Sequence, residues 1–97
     1  AGCGAVKAAC DGVEMGHISD LLSSIQPAVD KVQATMESTP TSQDADFVNA
    51  TIAENVRLTM GRILEKSRIL KDLYNAGTID VVGGVYQLDT GEVTWLD

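Results

Sequence analysis

The feature that most constrains the fold is a β-branched stretch, residues 79–86, which follows segments that favour helix. It reads Ile-Asp-Val-Val-Gly-Gly-Val-Tyr and is bounded by turn residues, so it predicts a strand. The neighbours Val81 and Val82 point to opposite faces of such a strand. This predicts a strand covered on both faces, as in a parallel sheet packed under helices. The pair Gly83 and Gly84 predicts a bend or a close approach to the backbone.

A second strand is predicted at residues 92–96, after a turn at 89–91, and the two strands are expected to pair as a hairpin. A strand buried on both faces needs a neighbour along each edge, and the sequence supplies one hairpin partner. We therefore expect a partner chain, or strands encoded before Ala1, to complete the sheet. On this interpretation residues 1–97 form a single partial domain.

Helical segments are predicted before the strands. Glycine and capping signals predict helices at residues 4–10, 43–65 and 68–75. Between the first two, one helix is predicted to begin near residue 20 and a new helical segment at residue 27. The 43–65 helix is the longest, because Val48, Ile52, Val56 and Met60 recur every four residues and form one apolar stripe. We interpret this stripe as core. Residues 37–44 contain no apolar side chain and are predicted to be an exposed loop.

The net charge of −7 argues against several classes of partner. Binding to nucleic acid requires clustered Lys and Arg, and anionic membrane surfaces require the same. No apolar run approaches the roughly 18–20 residues that cross a bilayer. We expect a soluble protein of the cytoplasm or periplasm, with no nucleic-acid or membrane partner. The compartment itself stays open, because the native N-terminus is expected to precede Ala1.

Two cysteines carry the chemistry that the sequence offers. Cys3 lies between two glycines at the start of the first predicted helix, where the positive end of the helix dipole favours a thiolate. A nucleophile, a redox centre and a metal ligand are all compatible with that position. Seven helical residues would separate Cys3 from Cys10 by roughly 10 Å, so we predict no disulfide. Cys10 is interpreted as a small buried residue, and His17, the only histidine, as an exposed surface residue.

Ordered sequence motifs resemble the beta-class carbonic anhydrases. They are Cys-Gly-Ala-Val-Lys-Ala-Ala at 3–9, Ile-Gln-Pro-Ala-Val at 25–29, Asn-Val-Arg at 55–57, Val-Val-Gly-Gly-Val-Tyr at 81–86 and Leu-Asp-Thr-Gly-Glu-Val at 88–93. The resemblance spans nearly all 97 residues and corresponds to the C-terminal half of the family fold. It implies an α/β fold in which helices pack on a mostly parallel sheet, with a C-terminal strand hairpin.

The resemblance implies a zinc enzyme that hydrates carbon dioxide reversibly to bicarbonate and a proton. The family holds zinc with a Cys-x-Asp-x-Arg cysteine and a His-x-x-Cys pair, and Cys3 matches the last cysteine of that pair. The other two ligands are expected upstream of Ala1, so the isolated chain is expected to be inactive. The backbone N–H of Gly4 would orient a bicarbonate-like oxygen. Expected partners are carbon dioxide and bicarbonate, and either a homodimer or higher homo-oligomer or the N-terminal half of the same protein.

Two alternative functions remain open from the sequence. The chain could be a non-catalytic folding or interaction unit of the family, because two of its three expected ligands are missing. It could also belong to relatives that hydrolyse carbon disulfide or carbonyl sulfide at a similar metal site. Tyr86 corresponds to a family tyrosine near a regulatory bicarbonate site, but packing is the interpretation we favour for it and for Trp95.

Overall fold

Four helices and one strand hairpin make up the computed structural model, which describes residues 2–36 and 40–96. In chain order the elements are α1 (Gly4–Cys10), α2 (Ile18–Gln33), α3 (Ala45–Lys66), α4 (Arg68–Asn75), β1 (Gly83–Tyr86) and β2 (Val93–Leu96). The chain is therefore mostly helical, with a small antiparallel sheet. Part of the predicted 37–44 loop, residues 37–39, lies outside the described residues.

Local signals set most helix ends where they were predicted. Helix α1 ends before Asp11, and Gly12 takes the left-handed conformation at φ 67°. The carboxylate of Asp44 accepts a hydrogen bond from the Phe47 N–H at 3.1 Å and caps α3. Ser67 caps α4 in the same way, since its hydroxyl accepts from the Leu70 N–H at 3.3 Å.

Two predictions about helix α2 are wrong. The helix begins at Ile18 rather than near Asp20, and it continues through Pro27 as one helix where two segments were predicted. Ser19 lies inside α2, and its hydroxyl accepts from the Met15 N–H at 3.0 Å. Pro27 is exposed, so the carbonyl that its missing N–H would have bonded can be hydrated instead.

The hydrophobic core lies among α1, α2 and α3. Its buried members are Val6, Ala9, Leu22, Ile25, Ala28, Val29, Phe47, Val48 and Ile52. The apolar stripe of α3 is buried only in its first half: Val48 and Ile52 are core, whereas Val56 and Met60 are half-buried. The stripe thus runs out of the core and continues beneath the hairpin.

Strands β1 and β2 pair in antiparallel register, with Gly84 opposite Trp95 and Tyr86 opposite Val93. The hairpin prediction is confirmed. The first strand, however, begins at Gly83 and not at Ile79, and Val82 is 66 % exposed. Across the described residues these two strands form the sheet, so the parallel sheet is not seen there. Residues 79–82 have no strand opposite them in the described part of the chain, so β1 is shorter than predicted.

Side-chain contacts tie α2 to α3 outside the core. The ammonium of Lys31 lies 2.8 Å from a carboxylate oxygen of Glu54, and the guanidinium of Arg62 donates to the Ser24 carbonyl at 3.1 Å.

None of the described helices has both the length and the apolar character needed to cross a membrane.

Candidate metal centre

Cys3 occupies the N-cap position of α1. Its backbone is extended, at φ −67° and ψ 122°, and its carbonyl accepts from the Lys7 N–H at 3.0 Å. The thiol makes no capping hydrogen bond, and the residue is exposed. The preceding Gly2 has φ 68°, a left-handed conformation that favours glycine. The loop therefore presents the Cys3 sulfur outward at the start of a helix.

An apolar groove of about 350 Å³ opens beside Cys3. Two residues of α3, three residues of β1 and one residue beyond β1 form its walls: Ile52, Val56, Gly84, Val85, Tyr86 and Leu88. The polar side-chain groups in this lining are the thiol of Cys3 and the phenol of Tyr86. The Cys3 thiol therefore lies beside a groove whose walls are mostly aliphatic.

Gly84 of β1 lines this groove, and its neighbour Gly83 packs directly on α3. A Cβ at Gly83 would come within 2.6 Å of both Val56 Cγ1 and Met60 Sδ. A Cβ at Gly84 would lie 2.8 Å from Val93 Cγ1 on the paired strand. The predicted close approach at this pair is confirmed.

Gly4, the second predicted site residue, is the first residue of α1. The first amide N–H groups of a helix have no intrahelical acceptor, so this position can donate to a bound group. A Cβ at Gly4 would meet no atom within 4 Å, so the space beside it is open. Its proposed contact with bicarbonate stays a prediction.

The described residues do not by themselves fit a zinc ion. Within residues 2–36 and 40–96, no three His, Cys, Asp or Glu side chains come together in a group that could hold a metal ion. Both cysteines are free, as predicted. Cys10 lies at the opposite end of α1 and is half-buried, whereas His17 is exposed at the N-cap of α2. Of the residues considered as ligands, the structure places Cys3 alone at the groove.

The second cysteine has partly buried surroundings. Burial raises the pKa of the Cys10 thiol above its ordinary value of 9.0, and a hydrogen bond with Thr51 opposes that rise. Thr51 is itself fully buried, and its hydroxyl donates to the Phe47 carbonyl at 2.8 Å. Cys10 thus packs against the core as a half-buried residue, where the sequence predicted a buried one.

Sequence reasoning missed the walls of the groove. Val56 was assigned to the core, and Tyr86 to packing, yet Tyr86 is 56 % exposed and both residues line the groove. The available signal for Val56 was the length of the apolar stripe of α3, of which only the first half is buried in the core. Leu88 had no signal, because an exposed leucine in a turn does not indicate a site.

A family model for carbonic anhydrase matches residues 1–93. The chain belongs to the carbonic anhydrase family. The predicted membership is confirmed, and the match is consistent with the beta-class resemblance. The comparison with curated proteins yields no match, and neither does the comparison with solved structures. Carbonic anhydrases are generally zinc-dependent and act on carbon dioxide.

Proposed function

We propose that residues 1–97 supply the C-terminal part of a zinc-dependent beta-carbonic anhydrase, and that Cys3 is one of its zinc ligands. The observation that carries the proposal is the position of Cys3, which lies at an apolar groove in a chain that matches the family over residues 1–93. The proposed reaction is the reversible hydration of carbon dioxide to bicarbonate and a proton.

The role of Cys3 is supported by its geometry. Zinc sites commonly use cysteine thiolates as ligands, and catalytic zinc sites keep one position open. Cys3 is exposed and makes no capping hydrogen bond, so its sulfur is available to a metal. The described residues offer one such donor at the groove, and the proposal therefore requires two further ligands. We place these in sequence upstream of Ala1, as the His-x-x-Cys resemblance implies.

The groove is suited to the substrate. Carbon dioxide is small and carries no net charge, so aliphatic walls such as Ile52, Val56 and Val85 can hold it and exclude bulk water. When bound, zinc supplies the Lewis acidity that makes hydroxide available near neutral pH. The open space beside Gly4 leaves room for a bicarbonate oxygen at the first N–H of α1.

The same proposal explains the exposed apolar residues around the hairpin. Val82 is 66 % exposed, and β1 is paired along one edge in the described part of the chain. A larger sheet, mostly parallel as in the family, would cover the open face and pair the free edge. Its remaining strands would come from upstream residues of the same protein or from another copy in a homo-oligomer.

A hydration assay on a chain that carries the upstream ligands tests the proposal. Stopped-flow measurement of carbon dioxide hydration should show zinc-dependent activity, and Cys3→Ser should lower it by at least about 100-fold, since even changes around metal ligands cost about 10–100-fold. Cys10→Ser is the matched control and should retain activity. Full activity in the Cys3→Ser enzyme would overturn the assignment of the ligand.

The incomplete set of metal donors favours one other function for the 97 residues alone, that of a non-catalytic folding or interaction unit. In that case the isolated chain would be monomeric, would unfold cooperatively and would bind no zinc, and the longer protein would bind none at Cys3. Zinc bound through Cys3 in the longer protein would exclude it.

A further inference from the structure

A polar cavity of about 370 Å³ also adjoins the loop that carries Cys3. Gly2 and Lys7 form one wall, and the loop before α3 and the first turns of that helix form the rest. Gly2 precedes Cys3, which lines the apolar groove. Val48 lines the polar cavity, and Ile52, one turn further along α3, lines the apolar groove. The two cavities are therefore neighbours, and we call the polar one the Lys7 pocket.

Lys7 reaches this pocket because of its place on α1. It lies one turn after Cys3, and its N–H donates to the Cys3 carbonyl at 3.0 Å. Side chains on a helix lean toward its N-terminus, and the Lys7 ammonium lies 3.9 Å from the point where a Cβ on Gly2 would stand. Standard backbone dimensions then place this ammonium within about 9 Å of the Cys3 Cα. A positive charge thus lies beside the predicted zinc ligand.

The charge of Lys7 is the distinguishing feature of the pocket. Of the described residues that line the two cavities, Lys7 is the one that carries a charged side chain. The ion pairs in the described part of the chain join Lys31 and Arg57 to Glu54, and Lys7 takes part in neither. The protein as a whole has a net charge of −7, which repels anions. The Lys7 pocket is a local positive surface within that field.

Two carboxylates border the pocket, and both are held by hydrogen bonds. Asp11 accepts from the hydroxyl and the backbone N–H of Ser42, which lines the pocket. Asp44 accepts from the Phe47 N–H as the cap of α3. Neither carboxylate forms an ion pair with Lys7 among the residues that the structure describes. The ammonium is therefore available to an anion that enters the pocket.

The polar groups of the pocket suit a small oxyanion. The ammonium offers three donors and no acceptor, and the carboxamides of Gln43 and Asn49 each offer donors and an acceptor. Bicarbonate has oxygens that accept and one O–H that donates, so it can use both kinds of group. Carbon dioxide carries no net charge and is better suited to the aliphatic groove. The two carbon species of the proposed reaction thus have separate surfaces at the same loop.

We infer that the Lys7 pocket binds bicarbonate on its way to and from the metal, and that the Lys7 ammonium is the group that attracts it. This inference rests on the proposed function and deepens it, because it names a further substrate-binding residue. Lys7 acts by charge alone and transfers no proton.

A bicarbonate titration followed by NMR tests the pocket independently of activity. Amide signals of the protein that carries the upstream ligands are followed while sodium bicarbonate replaces sodium chloride at constant pH and ionic strength. The N–H signals of Gly2, Ser42 and Asn49 should shift and saturate. Lys7→Met should abolish these shifts, whereas Lys7→Arg should keep them. Lys71→Met removes the same charge from exposed α4 and should keep them too.

The remaining amide signals show whether each variant is folded. If bicarbonate causes no shift at the pocket, or if the shifts persist in Lys7→Met, the pocket is overturned as a bicarbonate site.

The kinetics of bicarbonate dehydration test the role of the pocket in the reaction. Lys7→Met should raise KM for bicarbonate roughly fivefold at low salt, the size expected for one charge in contact with the anion in water. The rise should shrink at high salt, and kcat should stay unchanged, because what is lost is binding. Lys7→Arg should restore KM. An active Lys7→Met enzyme with unchanged KM would overturn this role. An unmodified protein without activity would contradict the proposed function, and the titration would still decide whether the pocket binds bicarbonate.

Discussion

The contact between β1 and α3 gives the sharpest prediction about the fold that supports the groove. Gly83→Ala would place a Cβ 2.6 Å from Val56 Cγ1 and from Met60 Sδ, about 0.8 Å inside the ordinary contact distance of 3.4 Å. Met60 is flexible and can move its sulfur, but Val56 is β-branched and stiff. Extra methyl groups in packed interiors cost about 1–3 kcal/mol. We expect this loss, and a fall in Tm of at least about 4 °C.

Urea unfolding followed by far-UV circular dichroism measures the effect. Gly61→Ala is the matched control, because a Cβ there meets nothing within 4 Å and the residue lies inside α3. That control should be more stable than the unmodified chain by roughly 0.5–1 kcal/mol, since alanine is the better helix former. The same Gly→Ala substitution should thus lower the free energy of unfolding at position 83 and raise it at position 61.

A double-mutant cycle identifies the clash. Val56→Ala removes the stiff methyl groups, so Val56→Ala/Gly83→Ala should be less destabilised than the sum of the single variants by roughly 0.5–3 kcal/mol. If Gly83→Ala is as stable as Gly61→Ala, or if the cycle is additive, the close approach of β1 to α3 is refuted.

Three further predictions concern single groups. Hydrogen bonds from the side chain and the backbone of Ser42, at 2.5 and 2.9 Å, lower the pKa of the Asp11 carboxyl below 3.8. The contact should therefore stabilise the fold above about pH 4 and be lost as the pH falls through the lowered pKa, and Asp11→Asn should flatten the acid limb of an unfolding curve. Asp44→Ala removes the cap of α3 and should cost about 1 kcal/mol in urea unfolding, whereas an unchanged midpoint would argue against the cap. Iodoacetamide followed by mass spectrometry should modify exposed Cys3 before half-buried Cys10, whose pKa is raised, and the reverse order would contradict the described burial.

The bounds of a helix could be predicted where nearby glycine or capping residues set them. The bounds of α1, α3 and α4 follow from left-handed glycines such as Gly12 and from the cap at Ser67, which act within one turn of chain. Helix α2 was not predictable in the same way. Pro27 indicates a new start by local rules, but it lies on the exposed side of one continuous helix.

The strand was predicted too long because strand formation depends on partners. Residues 79–82 have the β-branched composition of a strand, yet pairing begins at Gly83, where β2 lies opposite. Intrinsic β-propensity cannot supply that partner. A sheet completed by other residues would extend the pairing towards Ile79.

The site was predictable in part. Cys3 could be singled out from a motif, and the structure places it at the groove, whereas its role as a zinc ligand stays a prediction. The groove walls could not be singled out, since Val56 and Leu88 are ordinary aliphatic residues that become a surface only when β1 packs on α3. Their positions in the groove depend on tertiary contacts, which the periodicity of the sequence does not reveal.

Zinc coordination in a chain that carries the upstream ligands tests the central claim most directly. X-ray absorption should show sulfur ligands at about 2.3 Å from zinc. In Cys3→Ala one sulfur ligand should disappear, or zinc should be lost altogether, whereas Cys10→Ala should leave the spectrum and the zinc content unchanged. Zinc bound with the same number of sulfur ligands after Cys3→Ala would contradict the claim.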